Sequence, residues 1–205
     1  MKLELASAKA VRYACLNFHY AKAVPTVSLS FNVFNSKNEW CGVICYGKGA
    51  NTNISKPYGL MQGEVIELLR MALNGKQEST TKAMSISLKL IKKYAPLVKL
   101  VVSYADYEQG HIGTIYQATN WYYTGYSTGT DVIVNGKRQH KKTIASKFNT
   151  NSIESLKSKG LDIKTQKSKP KWRYIYPIDK RMIEICKKLQ KPYPKKENIA
   201  VTLNT

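Results

Sequence analysis

Val98–Trp121, VKLVVSYADYEQGHIGTIYQATNW, is the stretch on which the fold turns. Val98–Tyr104 is apolar and rich in β-branched residues, the composition of a buried strand. The run breaks at Ala105–Gly110, where Asp106 and Gly110 punctuate the chain, and resumes as a short helical segment over Gly113–Ala118 before ending on Trp121. Upstream, Glu64–Leu73 reads as a strand, Asn74–Thr80 as a polar loop, and Thr81–Tyr94 repeats apolar residues at helical spacing. Strand, loop, helix, strand, helix is a βαβα unit, whose two strands lie parallel with a right-handed crossover. Ligands collect beyond the carboxyl ends of the strands in such sheets. Both polar breaks, Asn74–Thr80 and Ala105–Gly110, fall there. This segment is therefore read as the active-site half of the protein.

Outward toward the N-terminus, Ala6–Phe18 places Val11, Ala14, Cys15 and Phe18 on one helical face and stops near His19 and Tyr20. Val27–Phe34 alternates apolar and polar residues, and Trp40–Tyr46 returns as the second strand of an antiparallel hairpin. The glycine-rich Gly47–Gly59 is a loop long enough to suggest function. In Glu64–Leu73 the alternation puts Glu67 on one face and Arg70 on the other, both amid apolar neighbours. Charges so placed need a partner or a task. Thr80 or Thr81 is the expected N-cap of the following helix. The unpaired amides and positive dipole end of that helix, with Lys76 beside them, make an anion site. No Walker loop or Rossmann fingerprint is present, so nucleotide hydrolysis is not indicated.

Outward toward the C-terminus come short β runs at Tyr122–Tyr126 and Asp131–Val134, then an Asn135-Gly136 hairpin turn into Lys137–Ser146. Ser152–Lys159 reads as a lysine-rich helix and Leu161–Pro170 as linker or extended chain. Lys171–Tyr176 (KWRYIY) reads as a basic-aromatic strand, and Asp179–Leu189 as a final helix capped by Asp179. Interleaved Lys, Trp, Arg and Tyr suits stacking with phosphate neutralisation, and equally an edge strand with its rings packed inward.

Composition bounds the partner. Apolar residues make up 43% of the chain and aromatics 10%, values of a globular protein. The formal charge is +20, and it is uneven: residues 1–136 hold 14 basic and 8 acidic side chains, residues 137–205 hold 19 and 5. Such a surplus favours polyanions, nucleic acid first. No run approaches the length of a membrane span, and the charged N-terminus lacks a signal-peptide core, so the expected location is cytoplasmic. Cys15, Cys41, Cys45 and Cys186 are then reduced and buried, with Cys41 and Cys45 sharing a strand face.

This order of elements, with a tyrosine in the last helix, resembles the GNAT acyltransferase superfamily. FHYAKAVP, GEVIELLRMALNGKQ, VVSYADYEQGHIGTIYQATNWYYTG and KWRYIYPIDKR further resemble the Mom family of phage DNA-modification proteins. The resemblance implies an α/β protein with a mixed, GNAT-like sheet over residues 1–148 and a basic C-terminal extension, 149–205, packed on the same domain. It implies an enzyme that converts DNA adenine to an N6-carbamoylmethyl form with acetyl-CoA, protecting phage DNA from restriction. It also implies a need for iron. The competing expectation is a conventional GNAT N-acetyltransferase acting on a protein or small-molecule amine. A homodimer is compatible with either.

Carried onto this chain, His19, Tyr20, Arg70, Asp106 and Tyr116 are candidate catalytic residues, and Glu67 joins them as the carboxylate that the strand pattern sets among apolar neighbours. Glu67 and Asp106 are candidate bases, Arg70 and Tyr116 candidate hydrogen-bond donors, and Tyr116 the acid that protonates the departing thiolate. Acetyl-CoA is expected along Met71, Ala72 and Leu73, at Lys76, Ser79, Thr80 and Thr81, and at Tyr116. The usual glycine-rich pyrophosphate loop is replaced by NGKQESTT. His19, Tyr20 and Asp106 are the expected iron ligands, an N/O set that this metal accepts. DNA, with adenine flipped or single-stranded, is expected at Lys171, Trp172, Arg173, Lys137 and Arg138.

Overall fold

The computed structural model describes residues 1–49, 53–139 and 141–195. Positions 50–52 of the glycine-rich loop, His140 in the basic run and Lys196 of the terminal PYPKK lie outside the described residues. The strand expected at the centre is β5 (Leu100–Asp106), and the one before it is β4 (Val65–Leu73). Between them runs α2 (Thr80–Tyr94), which starts one residue earlier than expected because Ser79, not a threonine, caps it, accepting from the Lys82 amide at 3.1 Å. α2 buries Ala83, Met84, Leu88 and Ile91 against the sheet, and its Ser87 hydroxyl meets the fully buried Tyr46 hydroxyl at 2.6 Å.

The N-terminal part supplies β1 (Lys2–Leu5), α1 (Ala8–Asn17, capped by Ser7), β2 (Leu29–Phe34) and β3 (Trp40–Gly47). β1 was not foreseen. It is four residues long and mostly exposed, so it carries almost no apolar pattern and is held by its pairing with β2. β6 (Tyr122–Ser127) and β10 (Lys171–Pro177) complete a seven-stranded sheet of order β1-β2-β3-β4-β5-β10-β6. β10 therefore lies between β5 and β6, antiparallel to both. The basic segment beyond residue 148 contributes an interior strand to this sheet.

Two local expectations are corrected. Lys137–Ser146 is extended only over β8 (Lys137–Gln139) and then turns helical as α4 (Lys141–Phe148), because Ile144 and Phe148, one turn apart, reach a common apolar cluster. Cys41 and Cys45 do not share a face: the β2–β3 register slips between Val33 and Phe34, so Cys41 packs with the main core and Cys45 against α1. Leu161–Pro170, left as linker or extended chain, contains β9 (Ile163–Lys167), which follows α5 (Ile153–Ser158) and pairs with β7 (Thr130–Val134) in a second sheet of order β8-β7-β9. The chain closes with α6 (Ile183–Leu189), reached through a short turn capped by Asp179.

The feature that positions the site is a divergence. β4 and β5 pair in parallel through Val65–Leu100, Ile66–Val101 and Glu67–Val102, and pairing stops there. β4 stays with β3 as far as Leu73, while β5 stays with β10 as far as Asp106. Each strand follows its outer neighbour, and the sheet opens into a V.

Candidate active site

The V leads into a cleft of about 880 Å³. Its floor is Glu67–Met71 of β4 and Tyr104–Asp106 of β5; its walls are Phe18–Tyr20 after α1 and His111–Tyr116 before and within α3 (Thr114–Gln117). Thr80, Ser127, Lys171 and Arg173 complete the lining.

Tyr116 stands at the fork. Its hydroxyl lies 2.8 Å from Ser103 Oγ, and Ser103 donates to the Leu68 carbonyl at 3.1 Å. Ser103 therefore accepts from Tyr116 and ties the helix to the last contact between the splayed strands. Burial pushes the Tyr116 phenol up to about 12 despite that hydrogen bond, so it holds its proton throughout the neutral range. The ring is wedged between Trp121 and Tyr174, with centroids at 5.1 and 5.0 Å. Tyr174 in turn donates to the Ile112 carbonyl at 2.5 Å and accepts from Gln117 at 3.2 Å. Gly113, at φ +83°, lies against the Tyr174 ring where a Cβ would stand 2.3 Å away. The short helix is thus placed by β10, a strand contributed from far along the chain.

Glu67 enters the cleft from β4. Burial raises its carboxyl above the usual range, opposed by Arg70 and Lys171. The Gly49 backbone lies so close that a Cβ there would fall 2.1 Å from Glu67 Oε2. Arg70 donates to the Leu69 carbonyl at 2.6 Å, and its Nε is buried without a partner among the described residues. Such a guanidinium is poised for an incoming anionic or carbonyl oxygen.

On the opposite wall, the His19 and Tyr20 rings lie 4.3 Å apart and Tyr20 meets His111 edge-on at 5.8 Å. Burial, then Arg70, lowers His19 to about 4, so its ring is neutral near pH 7. Its Nδ1 accepts the Ala21 amide at 3.1 Å, which leaves the ring proton on Nε2. Burial and the Asp106 charge raise the Tyr20 phenol. Asp106 Oδ1 accepts the Glu108 amide at 3.0 Å, and Oδ2 lies 3.9 Å from Lys171 Nζ.

His19 carries a stability consequence. Its folded pKa lies below the unfolded value of 6.5, so the stability it contributes is full above that pH and is lost as pH falls toward about 4. Urea unfolding midpoints are expected to decline through this window, and less steeply in His19→Gln.

The cleft gathers His19, Tyr20, Glu67, Arg70, Met71, Thr80, Asp106, Tyr116, Lys171 and Arg173 of the expected residues. It leaves out others. Ala72 is fully buried among residues that pack on α1; Leu73, Lys76, Ser79 and Thr81 sit around the start of α2 away from the lining. Trp172 is 2% exposed and packs with Tyr107, Tyr123 and Tyr126, so it follows the inward-packed alternative while Lys171 and Arg173 reach the cleft. Lys137 and Arg138 belong to the small second sheet. Ser103, which braces Tyr116, and Ser127, which lines the cleft, were not among the expected site residues. A lone serine in the apolar run VVSYA was the available sign for the first.

The expected iron ligands His19, Tyr20 and Asp106 all line the cleft. His19 uses Nδ1 as an acceptor and carries its proton on Nε2, and Asp106 engages the Glu108 amide. Among the described residues no group of three or more His, Cys, Asp or Glu side chains could hold an ion. No helix among them is long and apolar enough to cross a membrane.

A mixed seven-stranded sheet, splayed where the parallel β4 and β5 part, with a tyrosine at the fork, makes this an α/β protein with the kind of sheet expected from the GNAT resemblance. Among solved structures, two of spermidine N-acetyltransferase SpeG from Vibrio cholerae align with this chain. One, with 10% identity and a TM-score of 0.48, covers 89% of this chain and 95% of its own. The other, also at 10%, has a TM-score of 0.47 and covers 90% and 99%. A model of the Mom protein family matches residues 1–195, and the chain belongs to that family. It is 28% identical to methylcarbamoylase mom of Escherichia phage Mu over 209 residues, 95% of this chain and 84% of that one.

Proposed function

We propose that this chain is a DNA-modifying transferase that uses acetyl-CoA and acts on the exocyclic N6 of adenine, yielding N6-(carbamoylmethyl)adenine and so shielding phage DNA from restriction. The observation that carries this reading is the Mom family match over residues 1–195 on a chain whose cleft opens at a strand fork. The phage Mu relative, a methylcarbamoylase by name, supports it.

The edge of β4 beyond Glu67 has no strand partner on the β5 side; Ser103 and Arg70 take the Leu68 and Leu69 carbonyls, and the main chain beyond them is offered to an extended acyl-pantetheine arm. Adenine N6 is a weak nucleophile conjugated into its ring, and in duplex DNA it is reached by flipping. The His19, Tyr20 and His111 rings offer the extruded base stacking faces. Glu67 is the base that takes the N6 proton as N6 bonds to the oxidised methyl carbon, with Asp106 facing the adenine; Arg70 faces the oxyanion that develops when a nitrogen donor attacks the thioester carbonyl, and Tyr116 gives a proton to the thiolate that this attack expels. The product joins N6 to a methylene carbon and carries an extra nitrogen. Acyl transfer alone supplies neither that bond nor that atom, so a nitrogen donor and an oxidation at carbon belong to the complete reaction.

Mass spectrometry of adenine nucleosides from DNA co-expressed with the protein, with iron supplied, tests the proposal; unmodified adenine beside well-folded, abundant protein overturns it. Acetyl-CoA turnover with small amines and no DNA would instead mark a conventional N-acetyltransferase. A second expectation concerns Glu67. Its carboxylate is the active form and burial raises its pKa, so activity should fall along an acid limb above the usual carboxylate range. Glu67→Gln is expected to lower the rate by about 10²-fold and to flatten that limb.

A further inference from the structure

Between β6 and β10 the chain leaves the main sheet, builds β7, β8, α4, α5 and β9, and returns. These elements enclose a separate core of Val132, Val134, Ile144, Leu156 and Ile163. A unit with its own core does not need its surface to stabilise the main sheet, so that surface can serve a partner.

The surface has essentially one sign. Residues 130–170 include ten Lys and Arg against three Asp and Glu. Asp131 is already paired with Arg138 at 2.9 Å. Lys157, Lys164, Lys167 and Lys169 are exposed, and none forms an ion pair among the described residues. Unpaired like charges on one small unit repel one another in the free protein, and that cost is relieved when a polyanion binds and releases its own counterions.

Two ties aim the unit at the cleft. Arg138 also bonds Glu108 at 2.5 Å, two residues past Asp106, so one guanidinium joins the small sheet to the cleft's rim. Gly129 and Ser168 clasp the outgoing and returning chain, with the Gly129 amide donating to Ser168 Oγ at 2.7 Å and the Ser168 amide to the Gly129 carbonyl at 2.9 Å. Cationic residues lead from the clasp toward the cleft: Lys167 ends β9, Lys169 lies in the connection to β10, and Lys171 and Arg173 of β10 line the cleft. Lys171 and Arg173, alternate residues of one strand, stand about 6.6 Å apart, a spacing suited to successive phosphates.

We infer that the unit Thr130–Lys167, with the cationic series that leads from it to the cleft, grips the phosphate backbone of duplex DNA beside the nucleotide presented for modification. This rests on DNA being the substrate. It adds a handle separate from the chemistry: backbone contacts outside the cleft hold the duplex in register while one base leaves the stack.

The test titrates a labelled duplex with the full-length protein and with a Lys164→Gln, Lys167→Gln, Lys169→Gln triple variant over a salt series. Each lost phosphate contact removes about 0.9 from the slope of log affinity against log salt, so the triple variant should bind roughly tenfold or more weakly at about 0.1 M salt, with a slope smaller by up to about 2.7. The corresponding Lys→Arg triple should retain affinity and slope, which separates loss of charge from loss of fold. Unchanged duplex affinity and slope in the Gln triple overturns the inference, as does tighter binding of single-stranded RNA than of duplex by the unmodified protein. Duplex binding that is lost in the Gln triple while adenine stays unmodified by the unmodified protein upholds the surface and defeats the adenine chemistry. Adenine modification that persists in the Gln triple at limiting DNA does the reverse.

Discussion

Tyr116→Phe is expected to lower product formation by about 10²–10⁴-fold, the range for loss of a positioned proton donor, with little change in fold or acetyl-CoA affinity. The substitution keeps the ring between Trp121 and Tyr174, and Ser103 keeps its bond to the Leu68 carbonyl. Only one hydroxyl is lost, at the fork of the sheet. Single-turnover measurement of modified adenine, with acetyl-CoA binding followed separately, checks this. A small drop in rate would remove Tyr116 from the role of acid. The pH profile adds a second check. Burial pushes the Tyr116 phenol up to about 12, and the protonated phenol is the active form. The unsubstituted enzyme should therefore show no alkaline loss of activity attributable to this residue between pH 7 and about 10, the ordinary phenol value.

Gly42→Ala is expected to destabilise the fold by about 3 kcal/mol or more, measured by urea unfolding. Gly42 sits in β3 beside the register slip with β2, at φ +123°, a conformation that L side chains rarely adopt. A Cβ there would lie 2.0 Å from the Ala72 carbonyl oxygen, in the backbone of β4. That neighbour is main chain paired on the same strand as the cleft floor, and no rotamer change can relieve the clash. Gly75→Ala is the control: φ is also positive, at +87°, but nothing lies within 4 Å of the new methyl. Equal effects of the two substitutions would show that backbone conformation alone, rather than the close approach to β4, sets the cost.

The two predictions rest on features of different legibility. Tyr116 was visible because it sits within a long, specific run after a strand of unmistakable pattern. The approach of Gly42 to β4 was not, since nothing in WCGVICYG marks which residue is the additional one in the pairing. The same slip separated Cys41 from Cys45, which simple alternation had placed together. Ser79 displaced the threonines as N-cap because Ser and Thr are near-equal capping residues and three stand in a row, Ser79, Thr80 and Thr81.

The C-terminal part shows the limit most clearly. Its charge identified a basic region, and KWRYIY was recognisable as a strand, but its place between β5 and β6 was not. Strand order is set by contacts across the whole chain, and an interior antiparallel strand with Trp172, Tyr174 and Ile175 buried differs little in local pattern from an edge strand that packs its rings inward. That one placement has large consequences: it puts Lys171 and Arg173 on the cleft, buries Trp172, and lets Tyr174 hold the helix that carries Tyr116.

Local periodicity and residue chemistry were enough to establish β4, α2, β5 and α3, the parallel pairing of the two strands, and the position of the run from Asp106 to Tyr116 beyond the carboxyl end of β5. Each depends on neighbours near in sequence, which is the information that a linear pattern holds. The splay of β4 from β5 was expected from the resemblance, but the last paired residues, the lining of one cleft by His19, Glu67, Arg70 and Tyr116, and the separate basic unit between β6 and β10 were decided by tertiary structure alone. They depend on which distant surfaces pack together, and Val98–Trp121 supplies only one side of each of those contacts.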